Sequence, residues 1–213
     1  MDTDDPVPTV EAKGSRGTLR RHWPRWLPRA VFESALIVFS LLLALVLNEW
    51  RDDTRQAFRS QVATEAIVAE LRSNRAAAER AMQFHRSIHT MLQGVAAQGA
   101  LPRLEVVTGG LFNPANVVET AWVSARESAA LEQWPYDLII QVSRVYERQA
   151  AYGNLARQLV ADIYMDLRRR GVEVVLRDGY GGFILLTEDF AGREDALMRS
   201  YDGALAAIAR HVP

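Results

Sequence analysis

The longest apolar run of the chain lies near its N-terminus. From Ser34 to Leu47 the sequence reads SALIVFSLLLALVL, with no charged residue, glycine or proline. With its apolar flanks the run covers residues 30–50, and about 20 helical residues at a rise of about 1.5 Å each cross a hydrocarbon core of about 30 Å. The run ends without the small-x-small pattern of a cleavage site. We therefore expect an uncleaved transmembrane helix at residues 30–50, rather than a cleaved signal peptide or a buried core helix.

The residues on either side of this run differ in charge and predict the orientation of the helix. Trp23, Trp26 and Trp50 bracket the span, as an aromatic belt does. Positive charge dominates before it, at Lys13, Arg16, Arg20, Arg21, Arg25 and Arg29. Because positive flanks stay on the cytoplasmic side, we expect a single-pass protein whose N-terminus is cytoplasmic, in the inner membrane if the chain is bacterial. Residues 1–29, which show no apolar period before Trp23, would form a disordered basic cytoplasmic tail, and residues 51–213 a helical domain in the periplasm or outside the cell.

Beyond Trp50 the apolar positions change to a heptad spacing, which predicts an amphipathic helix to about Gly94. The stripe consists of Ile67, Leu71, Asn74, Ala78, Ala81, His85, Ile88, Leu92 and Val95. Two of its members, Asn74 and His85, are polar and could fix the register or the oligomeric state of a helix pair. The alternative is that the stripe packs on later helices of the same chain, which also have apolar faces to bury.

Further helices are predicted after a loop at residues 96–115, which is rich in glycine and proline. Asn116 with Glu119 has the spacing of a capping box, so we expect a short helix from there to about Gln133. Pro135 permits a new helix start, and apolar residues continue at helical spacing to Leu167. Three arginines followed by Gly171 indicate the end of that helix.

Residues 172–191 allow two interpretations. The stretches VEVVL and FILL on either side of RDGYGG resemble a β-hairpin, with Gly179-Tyr180-Gly181-Gly182 as a turn. The alternative is a loop to Gly182 followed by a last helix, which the three-and-four spacing from Phe183 to Ile208 favours. The fold class is therefore predicted as all-α, a transmembrane helix followed by an antiparallel helical bundle.

Charge and cysteine content exclude several classes of function. Lys and Arg number 25 and Asp and Glu 26, so the net charge of −1 gives no basic excess for nucleic acid. Cysteine is absent, which excludes disulfides, thiol nucleophiles and thiolate metal sites.

Three segments carry a resemblance to a family. In ESALIVFSLLLALVLNEWRDDTR (33–55) an acidic residue opens an aliphatic span that ends in an Asn/Asp-x-Trp element, here Asn48-Glu49-Trp50. The others are AELRSN (69–74) and AWVSARESAAL (121–131), with Tyr146 beyond the latter. The chain resembles an uncharacterised bacterial family of small single-pass membrane proteins with an N-terminal anchor and a helical outer domain. That pattern has a glycine after Ser128, where this chain has Ala129. The resemblance implies a topology and a fold, and no activity.

Few residues have the spacing of reactive or metal-binding groups. His85 and His89 are four residues apart and share a helix face, which suits zinc or nickel, but no third ligand follows from the spacing. The glycines of 179–182 lack the lysine of a phosphate loop, and Ser124, Ser128 and His211 do not form a nucleophile motif. We therefore expect no catalytic, cofactor-binding or metal-binding residues, no cofactor, and no enzymatic activity.

Aromatic residues provide the remaining candidates. Trp122 and Tyr146 are expected in the core, whereas Trp134-Pro135-Tyr136 at a helix junction either packs there or anchors a partner. The expected function is a membrane-anchored interaction or assembly module, held in the lipid bilayer, that binds a partner protein or forms a homo-oligomer and does not bind nucleic acid. The alternatives are an extracytoplasmic small-molecule sensor domain that relays to a partner protein and, less favoured, an enzyme.

Overall fold

The computed structural model describes residues 27–100, 110 and 112–211, and all its regular elements within these ranges are helices. Helix α1 spans Leu27–Ala97, α2 Thr120–Glu127, α3 Tyr136–Arg170 and α4 Val172–His211. The chain separates into two units after Arg51. Residues 1–26 of the predicted tail (1–29) and half of the predicted loop at 96–115, namely residues 101–109 and 111, lie outside the described residues.

The part of α1 that belongs to the first unit is long and apolar enough to cross a membrane. Its large side chains, from Val31 to Leu47, are all exposed, whereas the core helix of a soluble protein is mostly buried. No other helix of the described residues meets the same criteria of length and apolarity. The predicted candidate span near the N-terminus is therefore confirmed, and α1 continues through Trp50 without a break to Ala97.

The second unit is a bundle of three long helices. Gly171 alone joins α3 to α4. Gln149 is hydrogen-bonded to Tyr201 and Tyr152 to Glu194, so positions advance along α3 as they go back along α4, and the two helices are antiparallel. His85 of α1 bonds Glu194 and Arg75 bonds Asp202, which makes α1 antiparallel to α4 as well. The predicted all-α bundle is therefore confirmed.

Because α1 and α3 run in the same direction, the chain must return along the bundle between them. We call residues 112–119 the return segment; it is not helical. Asn113 contacts His85 and Val118 contacts Asn74, so five residue steps along this segment match eleven residue steps along α1. Five extended residues at about 3.3 Å and eleven helical residues at about 1.5 Å both cover roughly 16 Å. The return segment is therefore nearly fully extended.

The heptad stripe of α1 is buried within its own chain. Ile67, Leu71 and Ala78 lie in the main core cluster, and Asn74 and His85 are at most 1% exposed. Packing on later helices of the same chain, one of the two alternatives drawn from the sequence, is the correct one. Asn74 and His85 do not face a second chain.

Residues 172–182 differ from both interpretations of the sequence, because α4 passes through all four residues of the expected turn as a helix. A helical glycine costs about 1 kcal/mol relative to alanine. Against this, Val175, Leu176 and Phe183 are buried in a second cluster with Leu92, and burial of such side chains contributes about 1.5–3 kcal/mol each. The hairpin, the loop to Gly182 and the turn were therefore wrong, while the last helix beyond Gly182 is confirmed.

The start of α2 also differs from the prediction. The helix begins at Thr120, and Asn116 does not cap it. It ends at Glu127, short of the expected Gln133, and the chain then turns at Ala129. Ala129 has a φ of +56°, the only such value at a non-glycine residue among those described. The family pattern places its glycine here, where glycine is the residue that adopts this conformation without a steric penalty.

Candidate functional site

A series of buried polar side chains holds the return segment against the bundle. At its first position Glu70 of α1 accepts hydrogen bonds from the backbone N–H groups of Ala121 (2.8 Å) and Trp122 (3.3 Å). The hydroxyl of Tyr146 donates to the same carboxylate over 2.8 Å. Free N–H groups at a helix start favour a negative charge. Glu70 therefore supplies the N-terminal cap of α2 from another helix.

The second position is a pair of amides around Val118. Asn74 donates to the Val118 carbonyl (2.7 Å) and accepts from the Val118 N–H (3.0 Å), as a neighbouring strand would. Gln149 of α3 donates to the same carbonyl over 2.9 Å. The side-chain oxygen of Gln149 accepts from Asn74 and from the hydroxyl of Tyr201. Side chains of α1 and α3 thus bind one residue of the return segment, and Tyr201 of α4 binds Gln149.

The third position joins His85, Glu194 and Tyr152, all buried. Nδ1 of His85 lies 2.8 Å from one oxygen of Glu194, and the hydroxyl of Tyr152 donates to the other over 2.6 Å. The return segment donates a hydrogen bond to each of the two residues on either side of Glu194. The Asn113 N–H donates to Nε2 of His85 (3.3 Å), and the Ala115 N–H donates to the Tyr152 hydroxyl (2.8 Å).

These directions place the protons of the third position. Because Nε2 of His85 accepts from Asn113, the proton of the neutral imidazole lies on Nδ1 and points at Glu194. Because the Tyr152 oxygen accepts from Ala115, its own proton points at Glu194 as well. Glu194 must then accept at both oxygens, which requires the ionised carboxylate. The geometry assigns a buried carboxylate held by two neutral donors.

Burial raises the pKa of Tyr146, Tyr152 and Tyr201 above the ordinary value of a phenol. For Tyr146 and Tyr152 the hydrogen bonds to Glu70 and Glu194 raise the pKa further, because a second negative charge beside the carboxylate is unfavourable. We call Tyr146, Tyr152 and Tyr201 the buried tyrosines. Their raised pKa values keep them protonated, as hydrogen-bond donors, even above about pH 10, where an exposed phenol ionises.

The residues singled out in the sequence are only partly brought together. Nδ1 of His89 lies 3.0 Å from the Ile184 carbonyl, whereas His85 faces Glu194, so the two imidazoles have different partners. In the part of the chain that the structure describes, no three His, Asp or Glu side chains are placed to hold a metal ion. His211 lies at the end of α4 with Nδ1 2.9 Å from the Ala207 carbonyl, and Ser128 donates to the Ala125 carbonyl, so these two residues have separate partners.

The aromatic candidates divide between the core and the surface. Trp122 stacks on Tyr146, with ring centroids 5.2 Å apart, and both are buried as expected. Trp134 is buried too and donates to the hydroxyl of Thr64 over 3.1 Å. Tyr136 is 77% exposed. The Trp134-Pro135-Tyr136 junction is thus a packed corner that leaves one aromatic residue in solvent.

Two grooves on the bundle surface were not anticipated from the sequence. The first, which we call the alanine groove, lies between α1 and α2, with a volume of about 690 Å³. Its walls are small residues that include Ala63, Ala66, Ala121, Ser124 and Ser128. Phe58 and Val62 line the same groove and are 67% and 49% exposed. The only signal in the sequence was an apolar Phe58–Val62 pair outside the heptad stripe.

The second, which we call the arginine groove, lies between α3 and α4 and has a volume of about 700 Å³. Arg144 and Arg148 of α3 and Arg193 and Arg199 of α4 line it, and no carboxylate does. These arginines were not recognised in the sequence, because their convergence depends on how α3 and α4 pair.

Comparison with known proteins gives no assignment, since no protein-family model, curated protein or solved structure matches this chain. The likeness to the uncharacterised bacterial membrane family therefore stays a prediction.

Proposed function

We propose that this chain is a membrane-anchored helical assembly module, without enzymatic activity, whose bundle pairs with a second copy through the alanine groove. The observation that supports this is the combination of a groove walled by small residues with exposed Phe58 and Val62 at its side. Small residues allow two helices to approach closely, and an exposed aromatic residue is a frequent anchor of an interface.

A second copy suits this surface better than an unrelated protein. The surface carries both the projecting side chains and the hollow that would receive them, which is what an isologous interface requires. In such a pair Phe58 of each copy would enter the groove of the other. Anchoring both copies in one membrane would raise their effective concentration, so a modest interface would be sufficient.

The proposed topology follows the charges on both sides of the span. With Arg20, Arg21, Arg25 and Arg29 on the cytoplasmic side, the bundle would lie in the periplasm or outside the cell. We propose the bacterial inner membrane as the location and the lipid bilayer as the partner of α1. Reporter fusions at the two ends of the chain would test the orientation.

Photo-crosslinking from the native membrane tests the module. A benzophenone amino acid replaces Phe58 in one variant and Tyr164, which is 70% exposed on α3, in a matched control. We expect an adduct of twice the chain mass from position 58 and none from position 164. An adduct of another mass at position 58 would show that the alanine groove binds a different protein and not a second copy. No adduct at either position would refute the proposed module.

The arginine groove favours a second function, a sensor domain for small molecules that signals through a partner. A groove of about 700 Å³ falls in the range of small-molecule sites. Thermal unfolding of the full chain against a panel of metabolites would test it, with a raised midpoint as the expected result and no shift by any compound as the refuting one.

A further inference from the structure

The four arginines of the arginine groove differ in how their charges are balanced. Arg193 pairs with Asp189 over 2.7 Å, and Arg199 pairs with Asp195. On α3 the situation is different. Arg148 donates to the hydroxyl of Ser200 over 2.9 Å, which is a neutral partner.

No ion pair or hydrogen bond joins the side chain of Arg144 to any other described residue, and Glu147, three positions away, is not part of the groove lining. Arg144 and Arg148 are one helical turn apart, and like charges at this spacing repel each other. The bundle therefore presents two positive charges side by side that its own described residues do not neutralise.

The floor of the groove is apolar. Val145, Leu197 and Ala204 line it and are almost fully buried beneath the arginines. A ligand that suits both parts has a negatively charged group beside the arginines and a hydrocarbon body on the floor.

Guanidinium groups bind both carboxylates and phosphates, and the charge of the anion distinguishes the two. Each presents a planar fork of donors that matches two phosphate oxygens, and two forks match the charge of a dianion. We propose that the arginine groove binds a phosphate monoester with a hydrocarbon body, its phosphate between Arg144 and Arg148. This inference rests on the second proposed function. Such a phosphate occurs on soluble metabolites and on phosphatidic acid, a phospholipid whose headgroup is a phosphate monoester.

The test uses the full chain in nanodiscs of phosphatidylcholine, with hexyl phosphate as the titrant in calorimetry. We expect saturable binding, with hexanol not binding and inorganic phosphate binding more weakly. The variant Arg144→Gln/Arg148→Gln should lower the affinity at least about tenfold, because two charged hydrogen-bond donors are lost.

The matched control is Arg168→Gln/Arg169→Gln, which changes the net charge by the same amount on exposed residues of the same helix. It should leave the affinity unchanged. The variant Arg144→Lys/Arg148→Lys, which keeps the charges and removes the forks, should bind with intermediate affinity. Circular dichroism of each variant verifies the fold.

Nanodiscs that contain phosphatidic acid identify the source of the phosphate. If the wild type binds hexyl phosphate more weakly there than in plain nanodiscs, and the Arg144→Gln/Arg148→Gln variant shows no such difference, the source is a lipid headgroup. If the affinity of the wild type is the same in both nanodiscs, the ligand is soluble. Equal binding by the wild type and the Arg144→Gln/Arg148→Gln variant, or no binding of hexyl phosphate at all, would overturn the inference. If another compound of the metabolite panel still raised the unfolding midpoint, the sensor function would survive and the phosphate assignment would not.

Discussion

Replacing Glu194 by glutamine tests the proton arrangement at the centre of the bundle. The substitution keeps the size of the side chain but replaces one acceptor oxygen by an NH₂ donor. If the NH₂ group faces His85, it meets the proton on Nδ1. If it faces Tyr152, the hydroxyl oxygen already accepts from Ala115, and the hydroxyl proton loses its acceptor. Either orientation breaks one hydrogen bond and leaves a buried donor unsatisfied.

The magnitude follows from these losses. A hydrogen bond to a charged group contributes about 1.5–3 kcal/mol, and an unsatisfied buried donor costs about 1–3 kcal/mol. The neutral amide offsets part of this, because it is less costly to bury than a carboxylate. We therefore expect the free energy of unfolding to fall by about 2–4 kcal/mol. For a chain of this size that is a decrease of roughly 5–15 °C in Tm.

The measurement is thermal and denaturant unfolding of the full chain in a non-ionic detergent, followed by near-ultraviolet circular dichroism. Glu188→Gln is the matched control, because Glu188 is an exposed glutamate of the same helix. Its stability should change by less than about 0.5 kcal/mol. A Glu194→Gln variant as stable as this control would refute the assignment of an ionised carboxylate between two donors.

Three further predictions concern the backbone and the pH dependence. Ala129→Gly should raise the free energy of unfolding by about 0.5–1 kcal/mol, because glycine relieves the strain of the positive φ. The control Ala206→Gly, in the exposed face of α4, should lower the free energy of unfolding by about 1 kcal/mol. Shifts of the same sign in the two variants would contradict the prediction. Gly182→Ala should stabilise α4 by about 0.5–1 kcal/mol, since a Cβ there meets nothing within 4 Å. Gly171→Ala should destabilise the chain, because φ at this residue is +83°. Chemical denaturation measures the stability of both variants. The raised pKa values of the buried tyrosines contribute stability that is complete below about pH 10 and is lost as the pH rises further, because the unfolded phenols ionise first. Tyrosinate absorbance should therefore show three tyrosines that ionise only with unfolding, and their ionisation in the folded state would contradict the hydrogen bonds assigned to them.

The sequence was sufficient to predict the helices where local patterns decide the structure. The apolar run of α1, the heptad stripe and the arginines before Gly171 each depend on neighbours within a few turns. The cap of α2 could not be predicted in this way, because Glu70 is about fifty residues from the N–H groups that it binds. Asn116 has the better local pattern, but it lies in the return segment, where the extended backbone is bound by other side chains.

The glycines of α4 show the same limit. Gly179, Gly181 and Gly182 favour a turn when the sequence is considered locally. Their neighbours Val175, Leu176 and Phe183 are buried only if the helix continues. Tertiary burial thus outweighed the local preference, and its contribution could not be calculated without knowing that Leu92 lies opposite.

The polar members of the heptad stripe also bear on where function lies. Asn74 and His85 suggested an interface with another chain, but they bind the return segment instead. Among the described residues, every buried polar side-chain atom has a hydrogen-bond partner. A ligand that entered the core would therefore have to break a bond that stabilises the bundle, at a cost of about 1–3 kcal/mol for each group left unpaired. The surface grooves carry no such cost: the alanine groove offers apolar area without a cover, and Arg144 and Arg148 offer charge without a counterion among the described residues. Binding at these two places gains free energy without a loss in the core, which is why both proposals concern the surface of the bundle.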